Sequence, residues 1–385
     1  MDSDNRSPQT PNVLVVMETS FEFGREVIRG IGHYCRAHQP WNIEFFDPRQ
    51  NARYLQPSAK SIRGVIGRIP TPEFARRLRR LGAPTVCLAS GVAGIRTDIG
   101  TSQEAICRLA IEHFVDRGFR NLAFYGRYSP HGENRWRCFQ SLAVERGLRF
   151  AGSPTLRRGD IERVAAWLKA LPTPLGLLCS DDVAAMHAIN AARIAEISIP
   201  DQIAVLGIDN DALICDITNP RLSSVALNAQ RIGYAAAEML STVMEGGVAG
   251  DVVDIPPIGV VQRQSTDVMA TDDRDVREAA KFIRENALRP IEVAEVVEHV
   301  GLSRRSLEMR FRAALGKSIH EEMQRIRLDR AKGMLTTTDF KIDLIARRSG
   351  FKNGPYLHRV FKRHSGMTPV EYRREVGRFI NLPKS

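Results

Sequence analysis

Over its 385 residues the chain has no apolar run near the roughly 20 residues that a membrane helix requires, so no membrane partner is expected. Residues 1–11, Met1 to Pro11, form a polar tail without an apolar stretch behind a basic start, which disfavours a secretory leader. The six cysteines (Cys35, Cys87, Cys107, Cys138, Cys179, Cys215) contain no C-x-x-C pair. That spacing excludes a zinc ribbon and a disulfide framework, and fits a cytoplasmic location. The nine histidines include no i, i+4 pair, so no metal is expected. Also missing are a P-loop, a G-x-G-x-x-G after the first strand-like run, an H-E-x-x-H helix and a G-x-S-x-G elbow. Neither catalysis nor a cofactor is therefore expected.

Most of the chain also lacks any charge excess. Residues 301–385 carry 20 Lys and Arg against 8 Asp and Glu, whereas the other 300 residues carry 35 against 36. The net charge of +11 thus lies in the tail. A basic module on a neutral body reads as a polyanion-binding head attached to something else.

What is present falls into two patterns. From Asn12 to about Val261, short β-branched runs (Val13–Met17, Ile43–Phe46, Gly64–Ile69, Thr85–Ala89, Asn121–Tyr125, Gly176–Cys179, Ile203–Ile208) alternate with amphipathic stretches. Strands apolar throughout predict an α/β, doubly wound parallel sheet covered on both faces, with function on the loops after the strands. This body is expected over 12–265, a polar linker over 266–275, and an all-α domain over 276–385.

The tail repeats itself. Gly301-Leu302-Ser303 precedes Phe311 and Gly316 as Gly350-Phe351-Lys352 precedes Phe361 and Gly366. Each copy predicts a helix, a glycine turn and a second helix, with Ser303 or Asn353 as the cap of the second. Leu307, Phe311 and Leu315 form one apolar stripe, Leu357 and Phe361 the other. The opposite faces carry Arg304, Arg305, Glu308 and Arg312, or Lys352, His358, Arg359, Lys362 and Arg363. Two helix-turn-helix motifs inside the basic region point to duplex DNA. Between them, Ile319 to Leu335 is apolar on more than one side and is expected to pack against both.

Over about 105 residues this tail resembles the AraC-type DNA-binding domain, on Val300-Gly301-Leu302-Ser303, Leu328-Asp329-Arg330-Ala331, Ile345-Ala346 with Gly350-Phe351, and Gly366-Met367-Thr368-Pro369. The resemblance implies a base-reading residue two before each helix's phenylalanine. Arg359 holds that place in the second helix and Met309 in the first.

In the body, Val205–Ile208 runs into Asp209-Asn210 and Leu178-Cys179 into Ser180-Asp181-Asp182. Carboxylates at strand ends can each accept two hydroxyls of a polyol, and Phe21, Phe23 or Trp136 could cover its C–H face. Such acids can equally cap the helix or turn that follows. Over roughly 250 residues the body resembles the LacI-type, periplasmic-binding-protein-like effector domain, on Phe119 to Gly126, Gly207-Ile208-Asp209-Asn210, Leu222-Ser223-Ser224-Val225 and Ile232 to Ala236. The resemblance implies a monosaccharide effector, with Asp209 as the sugar-binding aspartate, Arg135 as the arginine and Ser180-Asp181 as the polar strand-end pair. Where the family has an Asp-Asn pair before the helix leading to Glu112-His113-Phe114, this chain has Ser102-Gln103, with an acid only at Asp98.

Body and tail together imply a regulator of a sugar catabolic operon that senses xylose or a related pentose and acts as a homodimer on an operator, with RNA polymerase as a candidate partner. A regulator of another monosaccharide or small polar metabolite is the second reading. A DNA-binding enzyme with an α/β catalytic domain is the third.

Overall fold

The computed structural model describes residues 10–49, 62–88, 98–128, 130–156, 160–248, 250–268, 271, 273–289 and 291–376. Ala89, three of the ten expected linker residues (269, 270 and 272) and the two chain ends lie outside them.

The body has two lobes. In the first, β1 (Asn12–Val16), β2 (Asn42–Phe46), β3 (Ile62–Gly67) and β4 (Thr85–Cys87) form a parallel sheet in the order β2-β1-β3-β4. Val13 to Val16 are all buried because helices cover both faces of the sheet. Helix α1 (Glu22–Ala37) lies on one side and α2 (Pro72–Arg79), capped by Thr71, on the other. The second lobe is a six-stranded sheet in the order β12-β10-β9-β8-β6-β7, made of β6 (Asn121–Tyr125), β7 (Arg149–Phe150), β8 (Leu175–Cys179), β9 (Ile203–Ile208), β10 (Ser223–Ala226) and β12 (Gly259–Val261). Only β12 is antiparallel to its neighbour.

The chain crosses between the lobes three times. It leaves the first through β5 (Ile99–Thr101) into α3 (Gln103–Val115) and α4 (Pro130–Glu145). It returns with α8 (Ala229–Met244), which packs along α1, and with β11 (Val253–Ile255), which pairs with β5. Through β12 it enters the second lobe again. Helices α5 (Ile161–Lys169), α6 (Asp182–Ile194) and the short α7 (Ala212–Ile217) complete that lobe. Ser265 and Thr266 are buried in it: Ser265 Oγ donates to the Val205 carbonyl, and Thr266 Oγ1 lies 2.8 Å from both Ser223 Oγ and His113 Nε2. Thr266, expected as the start of the linker, is therefore part of the body's packing.

From Arg274 on the described residues form helices joined by short turns, with no strand among them: α9 (Arg274–Asn286), α10 (Val293–Val300), α11 (Arg304–Leu315), α12 (Ile319–Thr337), α13 (Ile342–Arg348), α14 (Gly354–Ser365) and α15 (Pro369–Val376). Gly301 at φ 75° and Gly350 at φ 77° make the two turns, in a backbone region that a Cβ disfavours. Ser303 accepts the Ser306 N–H and Asn353 the Tyr356 N–H, capping α11 and α14. Ile319 and Met323 of α12 join the core around α11, while Leu328, Ala331 and Leu335 join the core around α14. One helix thus bolts the two helix-turn-helix units together.

Candidate functional site

A cavity of about 380 Å³ opens between the lobes. Its walls come from chain just beyond strand ends: Met17 and Glu18 after β1, Arg68 after β3, Ser180 to Asp182 after β8, Asp209 and Asp211 after β9, and Leu227 after β10. Phe21, Phe23, Thr101, His131 and Arg135 also line it. Parallel strands in register leave their carboxyl ends together, and the crevice between such ends is where open α/β sheets bind ligands.

Each polar wall residue has a physical state set by its neighbours. Asp209 and Asn210 adopt φ 110° and 55°, a strained region for residues with a side chain. Asn210 N–H donates to Ser224 Oγ at 3.0 Å and Arg263 donates to Asn210 Oδ1 at 3.0 Å, which holds the strained turn. Burial pushes the Asp209 carboxyl up to about 7, with Arg135 and Arg68 pulling down and Asp181 and Asp211 pushing up. Arg135 is buried, donates to the Ser180 carbonyl and sends its Nε to Gln103 Oε1 at 3.0 Å. Arg68 lies 5.0 Å from the centroid of the Phe23 ring, and its Nε is buried with no hydrogen-bond partner among the described residues. Burial, then the charges of Arg68 and Arg135, holds His131 down to about 3, so it is neutral.

The five effector-site residues expected from sequence (Phe23, Arg135, Ser180, Asp181 and Asp209) all line this one cavity. Asp181 also accepts the Ala184 N–H at 2.8 Å and caps α6. Asp182 is a different case. It accepts Ser224 Oγ and Asp211 N–H, 2.5 and 2.7 Å away, and ties three loops together. Trp136, one of three aromatics considered as a sugar platform, is not in the wall; the Arg127 guanidinium covers its ring at 3.3 Å. Asp98 is outside the wall as well, accepting the Cys87 N–H. Sequence reasoning missed Arg68, Glu18 and His131. The strand-end rule marks Arg68 as clearly as Asp209, had it been applied to cations as well as acids.

In the tail, Arg304, Arg305, Met309 and Arg312 are exposed on α11, and Lys352, His358, Arg359, Lys362 and Arg363 lie exposed at and along α14. Glu308 is half-buried and 3.9 Å from Arg312. Arg359 lies 5.3 Å from the centroid of the Tyr356 ring. Two helices with apolar inner faces and cationic outer faces, each entered through a glycine turn, suit the DNA major groove.

Body and tail meet through charge. Glu322 of α12 has no exposure and pairs with Arg325 at 2.6 Å and Lys317 at 3.3 Å. Lys317 also reaches Asp116, the residue that ends α3, at 3.0 Å. Arg117, buried beside them, donates to the Thr266 and His113 carbonyls. Burial alone would raise the Glu322 carboxyl, yet Arg325, then Lys317 and Arg117, hold it down at about 2. Tyr372 OH adds a hydrogen bond to the Ile258 carbonyl at 3.2 Å.

A two-lobed α/β body around a polar cleft, fixed to a double helix-turn-helix tail, defines a DNA-binding transcription regulator with a sugar-binding type of effector domain, and not an enzyme. The Periplasmic binding protein-like domain family matches residues 111–266, and a Helix-turn-helix domain family matches residues 296–375. The Xylose operon regulatory protein of Haemophilus influenzae is 31% identical over 386 residues, covering 94% of this chain and 97% of that one. Its Escherichia coli K12 counterpart is 30% identical over 94% and 96%. A solved structure of a xylose-binding transcription activator, 27% identical, superposes with a TM-score of 0.59 over 96% of this chain and 99% of that one. The chain belongs to the family of xylose operon regulatory proteins.

Proposed function

We propose that the cleft binds xylose or a closely related pentose and that binding changes how the tail holds operator DNA. The observation that carries this reading is a buried donor without a partner in the same cavity wall as a carboxyl whose ionisation burial opposes. Arg68 Nε is buried without a partner, and the Asp209 carboxyl is held by burial near neutrality, both in the wall of one cavity. A polyol cures both faults, because its hydroxyls donate to the carboxylate and accept from the guanidinium. Phe23, with Arg68 over it, and Phe21 supply the apolar wall for C–H groups, while Arg135, Ser180 and Asp181 add polar contacts. The names of the relatives select the pentose.

On the DNA side, Arg359 is assigned to base edges and Met309 to a thymine methyl, with Arg304, Arg305 and Arg312 on α11, and Lys352, His358, Lys362 and Arg363 at α14, near phosphates or bases. Ser303 and Asn353 present helix N-termini to the backbone, and Glu308 orients Arg312. Two copies on paired half-sites would supply the specificity that one module lacks, in the cytoplasm where DNA and RNA polymerase are at hand. The test is a thermal-shift panel of aldopentoses and hexoses on the full chain. Xylose at 100 times its dissociation constant should add about 2.7 kcal/mol of stability. A shift with hexoses alone would reject the pentose, and no shift with any sugar would reject the effector reading.

A further inference from the structure

Cys107 and Cys138 belong to helices that cross beside the cavity, α3 and α4. Cys107 is fully buried and Cys138 half-buried. The Cys107 thiol donates to the carbonyl of Arg135 at 3.5 Å, and Cys138 stands one turn further on along the same face of α4, so the two thiols interact across the helix pair. One turn earlier on α3, Gln103 meets Arg135 directly at 3.0 Å. The thiol pair and the Gln103–Arg135 pair are therefore successive rungs between the same two helices. The other four cysteines are neither paired with one another nor bonded to this pair.

We propose that Cys107 and Cys138 form a redox-active dithiol, which a peroxide closes into a disulfide stapling α3 to α4 beside the effector cavity. The half-buried partner reacts first. The hydrogen bond from Cys107 favours the Cys138 thiolate, lowering its pKa, while that bond and burial raise Cys107. The Cys138 thiolate attacks one peroxide oxygen, the O–O bond breaks, and a sulfenic acid and hydroxide result. The Cys107 sulfur then attacks the sulfenic sulfur, the S–S bond forms and water leaves. Two thiols and one peroxide become one disulfide and two waters. Closing the two sulfurs to the roughly 2 Å of a disulfide draws α4 against α3 at the turn next to Arg135.

Purified reduced protein treated with hydrogen peroxide should lose two hydrogens by mass. Its thiol count after denaturation should fall from six to four. Peptide mapping should find Cys107 joined to Cys138, and dithiothreitol should reverse the change. Cys138→Ser, at a half-buried position that accepts a hydroxyl, should melt like the parent and form no crosslink, whereas Cys35→Ser should crosslink as the parent does. Oxidation of Cys138 alone, or a crosslink to any other cysteine, overturns the dithiol. A second arm rests on the pentose reading: oxidised and reduced protein should differ in xylose affinity by about tenfold. A disulfide with unchanged affinity would keep the dithiol and overturn its link to the cavity.

Discussion

The cavity and the joint between body and tail are built from the same materials, buried carboxylates and guanidinium groups, in opposite states. At the joint Glu322, Lys317, Arg325 and Asp116 each meet an opposite charge. Glu322 touches Arg325 and Lys317, Lys317 touches Asp116, and the Glu322 carboxyl sits at about 2. In the cavity, Arg68 Nε has no partner and burial leaves Asp209 at about 7. Glu322, held low, has cationic partners inside the protein, whereas Asp209 is raised and faces an open cavity. Direction alone does not make a site, because burial raises Asp182 too although Ser224 and Asp211 bond it internally.

The largest expected effect tests the clasp. Glu322→Ala takes the fully buried carboxylate from beside Lys317, Arg325 and Arg117 and leaves them only the more exposed Asp116 and Asp329, so chemical denaturation should show a loss of about 3–5 kcal/mol. A loss below about 1 kcal/mol would erase the distinction between the two clusters. The cavity should behave in the reverse way. Asp209→Ala removes a costly buried carboxyl, so melting should be unchanged or improved. Calorimetric xylose affinity should meanwhile fall by about 3 kcal/mol or more, because two charge-assisted hydrogen bonds go with the side chain. Retained affinity would take Asp209 out of the site.

A third, smaller effect extends the contrast to the two reading helices. Arg359→Ala should cost about 1–3 kcal/mol in operator binding and relax preference at one or two base pairs, while Lys362→Ala weakens all sequences alike. Met309→Ala, with no charge to lose, should change affinity least. Uniform losses for Arg359→Ala across a set of operator variants would make it a phosphate contact.

The smallest effect is in pH. Asp209 is raised from its ordinary 3.8, and hydroxyl donors prefer the ionised form, so sugar affinity should rise about tenfold from pH 6 to pH 8 and level off above. Without sugar, the same raised group favours folding below its unfolded value, and its contribution is lost as pH rises through 7. Glu322 has the opposite sign. Its contribution is present above its ordinary 4.5 and is lost as pH falls toward 2. A flat affinity profile would mean that Asp209 is not ionised by the ligand.

Much of this was legible in the chain before any coordinates. The long strands and the paired glycine turns were readable because each is written in local periodicity, and Ser303 and Asn353 announced their helices by residue type. What escaped is short or distant. Strands β5, β7 and β11 have two or three residues, too few to show alternation. Helix α7 has six, and its start is marked only by Asp211. Within the site, acids at strand ends were found, and Arg68 was not. At the joint, Lys317, Glu322 and Arg325 carry no signal of their own in the sequence. Nothing in their spacing tells that Asp116, some 200 residues earlier, would face them.

Helix α3 begins where Gln103 holds Arg135 at the cavity and ends at Asp116, which Lys317 grips. Thirteen residues make a strut about 20 Å long. Such a strut works as a lever: a tilt of about 5° at the sugar end swings the other end by close to 2 Å, about the size of the helix shifts that switch other proteins. Because opposite charges join the far end to Lys317, just ahead of α12, such a swing would bear on α12, which packs into the cores of both reading units. A molecule the size of one sugar ring could in this way set the pitch of two helices that it never meets.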